Sequence, residues 1–323
     1  MNPFAPFIRT LGRGKKGSRS LTEAEAYEAF TLILNDQVED VQLGAFLMLL
    51  RVKEETGEEI AGFVRATRDF LQTQANALEV DFDWASYAGK RRHHPWYVLA
   101  ARALSQAGYK VFMHGAMGHT EGRVYTEPTF SALQLPVVKD WDQVETAISE
   151  TGLCFFPIAH MVPKIHRLIE LRPLMGLRSP VHTLARLINP LNAQAVLQGI
   201  FHPAYNGIHQ QAAAHLGFEN TVIIRGEGGE FERNPETKLT LFQVRDGQEH
   251  TLDLPIIAQQ RTVKPESLAH DDLLKFWQDD RHSPYALNAV LGTLQVALLT
   301  RHSELSPDQA WSKAEDIWQN RNR

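Results

Sequence analysis

A chain of 323 residues can bury a full core and has room for a second, smaller domain. Its hydrophobic fraction of 43% is ordinary, and no uninterrupted apolar run reaches membrane-spanning length. The single cysteine, Cys154, excludes an internal disulfide and a cysteine-built zinc cage, and a formal net charge of −5 means that any anionic partner must be met by a local patch. Met1–Arg9 carries no apolar signal core or cleavage pattern, so the expected compartment is the cytoplasm.

In chain order, residues 9–19 read RTLGRGKKGSR, which is Arg9, Arg13, Lys15, Lys16 and Arg19 with interleaved glycine and no acid. That is a mobile basic arm or a merely solubilising terminus. Ser20 and Glu23 have capping-box spacing ahead of Tyr27, Phe30, Ile33 and Leu34. Leu43, Phe46, Leu47 and Leu50 mark a second helix, and Thr56 with Glu59 caps a third carrying Ile60, Phe63, Val64 and Phe70. Three short helices cannot cover so many apolar positions mutually, so the stripe is expected to meet the rest of the chain or a second copy.

Leu78–Phe82 changes period and reads as a first strand. Pro95 opens a helix whose Trp96, Leu99, Ala100, Ala103 and Leu104 recur at helical spacing, Gly108 ends it, and Tyr109–Met113 is the next strand. Further strands are expected at Leu153–Phe156, Val196–Phe201 and Thr221–Ile224, with an antiparallel pair, Leu239–Val244 and Glu249–Leu254, turned at Asp246–Gly247. Trp141–Ser149, Met161–Leu171, Val181–Ile188, Ile208–Leu216, Ala286–Thr300 and Gln309–Trp318 read as helices. Pro173–Arg178 reads as a turn and Gly226–Glu230 as a flexible acidic loop. The expected class is α/β: a small helical domain (residues 1–76 with roughly 163–192) beside a larger α/β domain with a central mixed sheet (77–162 and 193–323).

The stretch Asp81–Pro128 holds the chemistry. Gly89-Lys90-Arg91-Arg92-His93-His94 stands directly before a helix start, where unpaired N–H groups and the dipole favour an anion. A second loop, residues 114–123 (HGAMGHTEGR), leaves the next strand, and loops at the carboxyl ends of α/β strands form the ligand crevice. Residues 86–124 hold Lys90, Arg91, Arg92, Arg102, Lys110 and Arg123 against Glu121 alone. Residues 160–190 hold Lys164, Arg167, Arg172, Arg178 and Arg186 against Glu170 alone, while the acids gather at 54–59, 227–236 and 270–280. Such segregation keeps one face positive in a protein of negative net charge.

Residues 21–30 (LTEAEAYEAF) and 40–68, with MHGAMGH (113–119), HTLARLINP (182–190) and LNAVLGTLQVALLTR (287–301), closely resemble the anthranilate phosphoribosyltransferases in order and spacing. The resemblance spans essentially the whole chain. It is closer still to the YbiB family, a TrpD-like branch of the glycosyltransferase family 3 fold (the nucleoside phosphorylase/phosphoribosyltransferase fold). That branch implies a homodimer, paired through the N-terminal helices, that binds nucleic acid independently of sequence and lacks transferase activity.

The departures from the parent motifs point the same way. The Gly-Thr-Gly-Gly-Asp turn that wraps a pyrophosphate stands here as Ser86-Tyr87-Ala88-Gly89-Lys90-Arg91-Arg92. Lys-His-Gly-Asn becomes Met113-His114-Gly115-Ala116, the serine-rich loop becomes Thr120-Glu121-Gly122-Arg123-Val124, and the magnesium pair falls near Glu230-Phe231, leaving one carboxylate.

The expected function is therefore binding of DNA, single-stranded above all, or RNA through phosphates, with no cofactor, no metal and no membrane contact. The phosphate-binding candidates are Lys90, Arg91, Arg92, His93, Arg123, Arg172, Arg178 and Arg186, with Arg9, Arg13, Lys15, Lys16 and Arg19 on the arm. Tyr87, Trp96 and Tyr125 adjoin cations and are candidate base-stacking platforms, and His114 and Gly115 would line a residual ligand cleft. Each has a blander use: a solvated loop for 90–92, a hinge brace for His182 and Asn189, core packing for the tryptophans at 277, 311 and 318. His93, His94, His114 and His119 lack the spacing of a zinc site. The alternatives are an active phosphoribosyltransferase or nucleoside phosphorylase, and a scaffold that holds an anionic metabolite in the old cleft.

Overall fold

In the computed structural model, which describes residues 2–14, 16–72, 78–118, 120–258, 260–280 and 283–323, seven strands make one sheet. They are β1 (Phe82–Ser86), β2 (Val111–Gly115), β3 (Leu153–Pro157), β4 (Ala195–Ile200), β5 (Asn220–Arg225), β6 (Leu239–Arg245) and β7 (Gln248–Leu254). Their order is β3-β2-β1-β4-β5-β6-β7, parallel from β3 to β5 and antiparallel for the last two pairings. β1 to β4 are buried along their whole length, as a parallel sheet covered on both faces requires. The first strand begins at Phe82, not Leu78, because Asp81 and Phe82 take the Lys110 carbonyl before the ladder opens.

Alternation sorts the strand side chains to two cores. Phe82, Trp84, Val111, Met113, Leu153, Phe155 and Leu197 face the helices Trp96–Gln106, Pro284–Arg301 and Pro307–Gln319. Phe112, Cys154, Phe156 and Val196 face the core shared with the N-terminal helices. The sequence reading missed His270–Gln278, a helix that buries Leu273, Phe276 and Trp277 in the first of these cores.

The small helical part is Ala5–Gly12, Glu23–Leu34, Asp40–Lys53 and Gly57–Gln72, with Val181–Leu184 packed on the last. Its sealing element is the unanticipated first helix. Phe4, Phe7 and Leu11 are buried, and Phe4 meets Phe46 edge-on at 5.1 Å, which in turn meets Phe63 at 6.1 Å. The apolar stripe expected to seek a partner is thereby covered within the chain: Phe46, Leu47, Leu50, Ile60, Phe63 and Val64 are all buried, and Leu43 packs against the same core. The basic arm is also shorter than expected, since Arg9 lies on that helix and Arg19 forms a two-pronged pair with Glu25. Lys15 falls outside the described residues.

Capping boxes fix several helix starts. Thr56 and Glu59 exchange the anticipated bonds, but the earlier box is Thr22 with Glu25, two residues beyond Ser20 and Glu23. Ser20 accepts from Lys53 instead, and Glu23 pairs with Arg65. Pro173–Arg178 is a one-turn helix, Arg172–Met175, stopped by Gly176 in the left-handed region. No helix among the described residues is long and apolar enough to cross a membrane.

Candidate functional site

From β1 the sheet grows outward in both directions, to β2 and β3 on one side and to β4 and β5 on the other. The β1–β4 junction is therefore its switch point. The loops leaving β1, β2, β4 and β5 share that edge, and the helical part leans over it. Between them lies a cleft of about 450 Å³ lined by Arg51, Arg123, Arg172, Arg178 and Arg186, with Phe201, His202 and Tyr205 from the β4 loop and Gly228 from the β5 loop. Among the described residues, none that lines it is acidic.

The arginines feel one another. Burial and the guanidiniums of Arg186, Arg172 and Arg123 pull Arg178 down to about 10. Burial also lowers Arg186, which donates to the carbonyls of Gly199 and His182 and stands 5.7 Å over the Tyr87 ring. Arg123 donates to the Ala88 carbonyl at 2.7 Å and Arg51 to the Tyr205 hydroxyl at 2.7 Å, so both are positioned by neutral partners, with the Glu55 carboxylate acting on Arg51 from behind the cleft. Clustered cations at this spacing destabilise the empty site and make it receptive to anions.

The loop after β1 is arranged in the opposite sense. Its amides, the groups that would cradle a phosphate, already bind carboxylates of the chain itself. Glu230, fully buried, accepts from the N–H groups of Ala88 (2.6 Å) and Gly89 (2.5 Å) and from the Ser86 hydroxyl (2.7 Å). Glu227 accepts from the N–H groups of Arg91 and Arg92 and meets the His93 ring at 2.6 Å. Burial pushes Glu227 up, yet those bonds and Lys90 outweigh it and leave it well below the usual carboxylate range.

Lys90 is 1% exposed and bridges Glu232 at 2.5 Å and Glu227 at 3.4 Å. Burial opposes its charge, but the two carboxylates hold its pKa above the ordinary value. The loop read as flexible is thus a pinned turn, Glu227–Gly229. A Cβ on Gly228 would come within 2.6 Å of the Gly89 carbonyl oxygen, which shows how closely the two loops are pressed.

These placements revise several expectations. Lys90 is committed to an internal ion pair and cannot reach a phosphate, and His93 is held by Glu227 and stacked on Tyr285 at 4.4 Å. The side chains of Arg91 and Arg92 are exposed, but their amides are taken. Tyr87, Trp96 and Tyr125 are all buried: Tyr87 meets His114 Nδ1 at 2.7 Å, Trp96 packs on Phe276, and Tyr125 bonds the Thr120 backbone. None of the three lines the arginine cleft.

His114 is sealed between Tyr87 and Asp83, and Gly115 is needed for packing, since a Cβ there would lie 1.7 Å from the Ser86 carbonyl oxygen. Asn189 is structural: buried, at a φ of 40°, its side chain accepts from the Ala193 N–H. Of the cations counted from sequence, Arg102 stacks on Trp277, Lys164 pairs with Asp36, and Arg167 lies 3.9 Å from Asp40. His119 lies outside the described residues. Arg51, Phe201, Glu227 and Glu232 were missed, and only the long-range fold brings them here.

Residues 5–71 match the helical bundle domain of a glycosyl transferase family and residues 98–262 its a/b domain. The chain belongs to this glycosyl transferase family. Its relatives include the anthranilate phosphoribosyltransferase of Novosphingobium aromaticivorans, 30% identical with 86% of each chain covered. They also include YbiB of Escherichia coli K12, 28% identical with 72% of this chain and 73% of YbiB covered. Among solved structures, anthranilate phosphoribosyltransferase from Thermus thermophilus superposes with a TM-score of 0.78 over 98% of this chain and 94% of that one, at 20% identity, which establishes the shared fold.

A yeast anthranilate phosphoribosyltransferase of the same fold (TM-score 0.75) is described in complex with PRPP and Mg. In this TrpD-like chain the corresponding loop does not suit a magnesium–pyrophosphate group. The Glu230 oxygens are saturated by the loop's own donors, and Glu232 is neutralised by Lys90. Among the described residues no cluster of three or more His, Cys, Asp or Glu side chains could hold a metal.

Proposed function

We propose that this TrpD-like protein binds nucleic acid through the phosphate backbone, without base specificity and without phosphoribosyl transfer. The observation that carries the reading is the cleft itself, where five arginines converge with no lining carboxylate among the described residues. A polyanion supplies several phosphates at once, and each neutralised charge releases a counterion. The self-filled β1 loop supports the second half of the reading, because a diphosphate would have to displace Glu227 and Glu230 from their amides. A homodimer through the N-terminal helices belongs to the same proposal, supported by the exposed valines of the Asp40–Lys53 helix.

The test is a titration of an oligonucleotide at several salt concentrations. Log K is expected to fall linearly with log salt, by about 0.7 for each phosphate neutralised on a single strand. Shuffling the base order should leave the line unmoved, and a flat line would remove the mechanism. The alternative, an active phosphoribosyltransferase, is favoured by the 30% identity to an enzyme of that name. It requires product from anthranilate, PRPP and magnesium above background, abolished by Arg178→Ala. We expect none.

A further inference from the structure

The arginine cleft is lined by an aromatic ring that stands half exposed. Phe201 follows β4, lines the cleft, and is 48% exposed, against burial for Tyr87, Trp96 and Tyr125. Its ring meets that of His202 edge-on at 4.8 Å, and its exposure leaves a face open. Leu177, 46% exposed, lines the same cleft from the helical side. Across the β4–β5 ladder, Ile200 pairs with the exposed Arg225, which puts another cation one residue from the ring. Beside cations, an open aromatic face of this kind is suited to stacking a base.

We propose that Phe201 is a base-stacking platform, so that the cleft selects unpaired strands: phosphates engage Arg123, Arg178 and Arg186 while a base lies on the ring. This deepens the nucleic-acid reading and rests on it. Every nucleobase has a π-face, so stacking adds affinity without sequence preference. In a duplex the base faces are covered by their neighbours, and the ring would gain nothing. The inference therefore separates what arginines alone cannot: a purely electrostatic cleft would prefer the denser charge of a duplex.

The experiment measures fluorescence anisotropy of three labelled probes at one salt concentration: a short oligothymidylate, the same backbone built from abasic residues, and an oligothymidylate–oligoadenylate duplex. Wild-type protein should bind the oligothymidylate roughly ten- to hundred-fold more tightly than the abasic strand, the effect of stacking one to two bases. In Phe201→Ala that ratio should collapse toward one, while the abasic affinity stays as it was; Phe201→Tyr should keep the ratio. Because the ring is half exposed, its loss leaves the core intact, which a thermal melt confirms.

A ratio unchanged in Phe201→Ala overturns the platform while leaving phosphate binding standing. Duplex bound as well as, or better than, the single strand by the wild type overturns it too. Arg178→Glu with undiminished binding of all three probes would instead fail the nucleic-acid reading itself. A fourth result also sinks the proposal: anthranilate at millimolar concentration protecting the wild type in the melt but not Phe201→Ala, with no difference between normal and abasic strands. The ring would then serve a small aromatic acid.

Discussion

Lys90 carries its charge inside the protein, 2.5 Å from Glu232 and 3.4 Å from Glu227. Lys90→Ala should therefore not act as the loss of one phosphate contact. It leaves Glu232 buried and unpaired, and the expected cost is about 3–5 kcal/mol, read as a lowered urea midpoint. Arg178→Ala should do the reverse, shrinking the salt slope by about 0.7 with little loss of stability, because it relieves the crowding by Arg186, Arg172 and Arg123. Nothing in the local sequence distinguishes these two cations. Both stand in acid-poor stretches, and what separates them is an acidic turn some 140 residues away from Lys90 that the fold brings to one and not to the other.

His209 adds a pH dependence of known sign. It donates from the buried ring to Gln198 at 2.6 Å, and burial, with Arg186 nearby, pulls it down to about 3 from an ordinary 6.5. The unfolded chain takes up this proton below 6.5, whereas the folded chain resists until about 3, so stability falls as pH drops through that interval. Wild type minus His209→Gln should show a residual slope approaching about 1.4 kcal/mol per pH unit between pH 4 and 5.5, about half that at pH 6.5, and fading to none above about pH 8. Equal slopes in the two proteins would mean that His209 is protonated in the folded state.

At the scale of elements, most of the architecture was legible in the residues. The parallel strands announced themselves as short apolar runs because both faces are buried, and Asp246–Gly247, at φ 49° and 72°, turns the β6–β7 hairpin as its chemistry requires. The first helix escaped notice because its arginine, lysine and glycine followers resemble an arm, and because its apolar residues Phe4, Phe7 and Leu11 are few.

The loop after β1 was misread for a different reason: a helix start with cations does attract an anion, but Glu227 and Glu230 are the anions it finds. That assignment is testable. Glu230→Ala removes the acceptor of Ser86, Ala88 and Gly89 together, and it should cost about 1–3 kcal/mol for each donor left dry. It should also open the loop to inorganic phosphate, detectable as stabilisation that the wild type lacks.

For the whole molecule the question is whether the proposed homodimer would let two clefts share one strand. Leu47 is buried, so Leu47→Glu would put a charge in the helical core and could not test pairing. The Asp40–Lys53 helix nevertheless keeps a second apolar row on its outer side: Val41, Ala45, Met48 and Val52, at successive turns of one face, with Val41 80% and Val52 76% exposed. Gly44 beside them has open space where a Cβ would stand, which allows a facing helix to approach closely. Arg51, in the last turn of the same helix, lines the cleft and holds Tyr205.

Pairing two such helices about a two-fold axis would set the clefts at a fixed separation, and a strand long enough to reach both would gain by effective concentration rather than by new contacts. Val41→Glu with Val52→Glu places like charges on that row without touching the core. The double variant should melt like the wild type, sediment as a monomer, bind a half-length strand normally, and lose the roughly hundred-fold advantage of a spanning strand. A variant that stays dimeric, or a monomer that keeps the full length dependence, would mean that the clefts communicate by another surface or not at all.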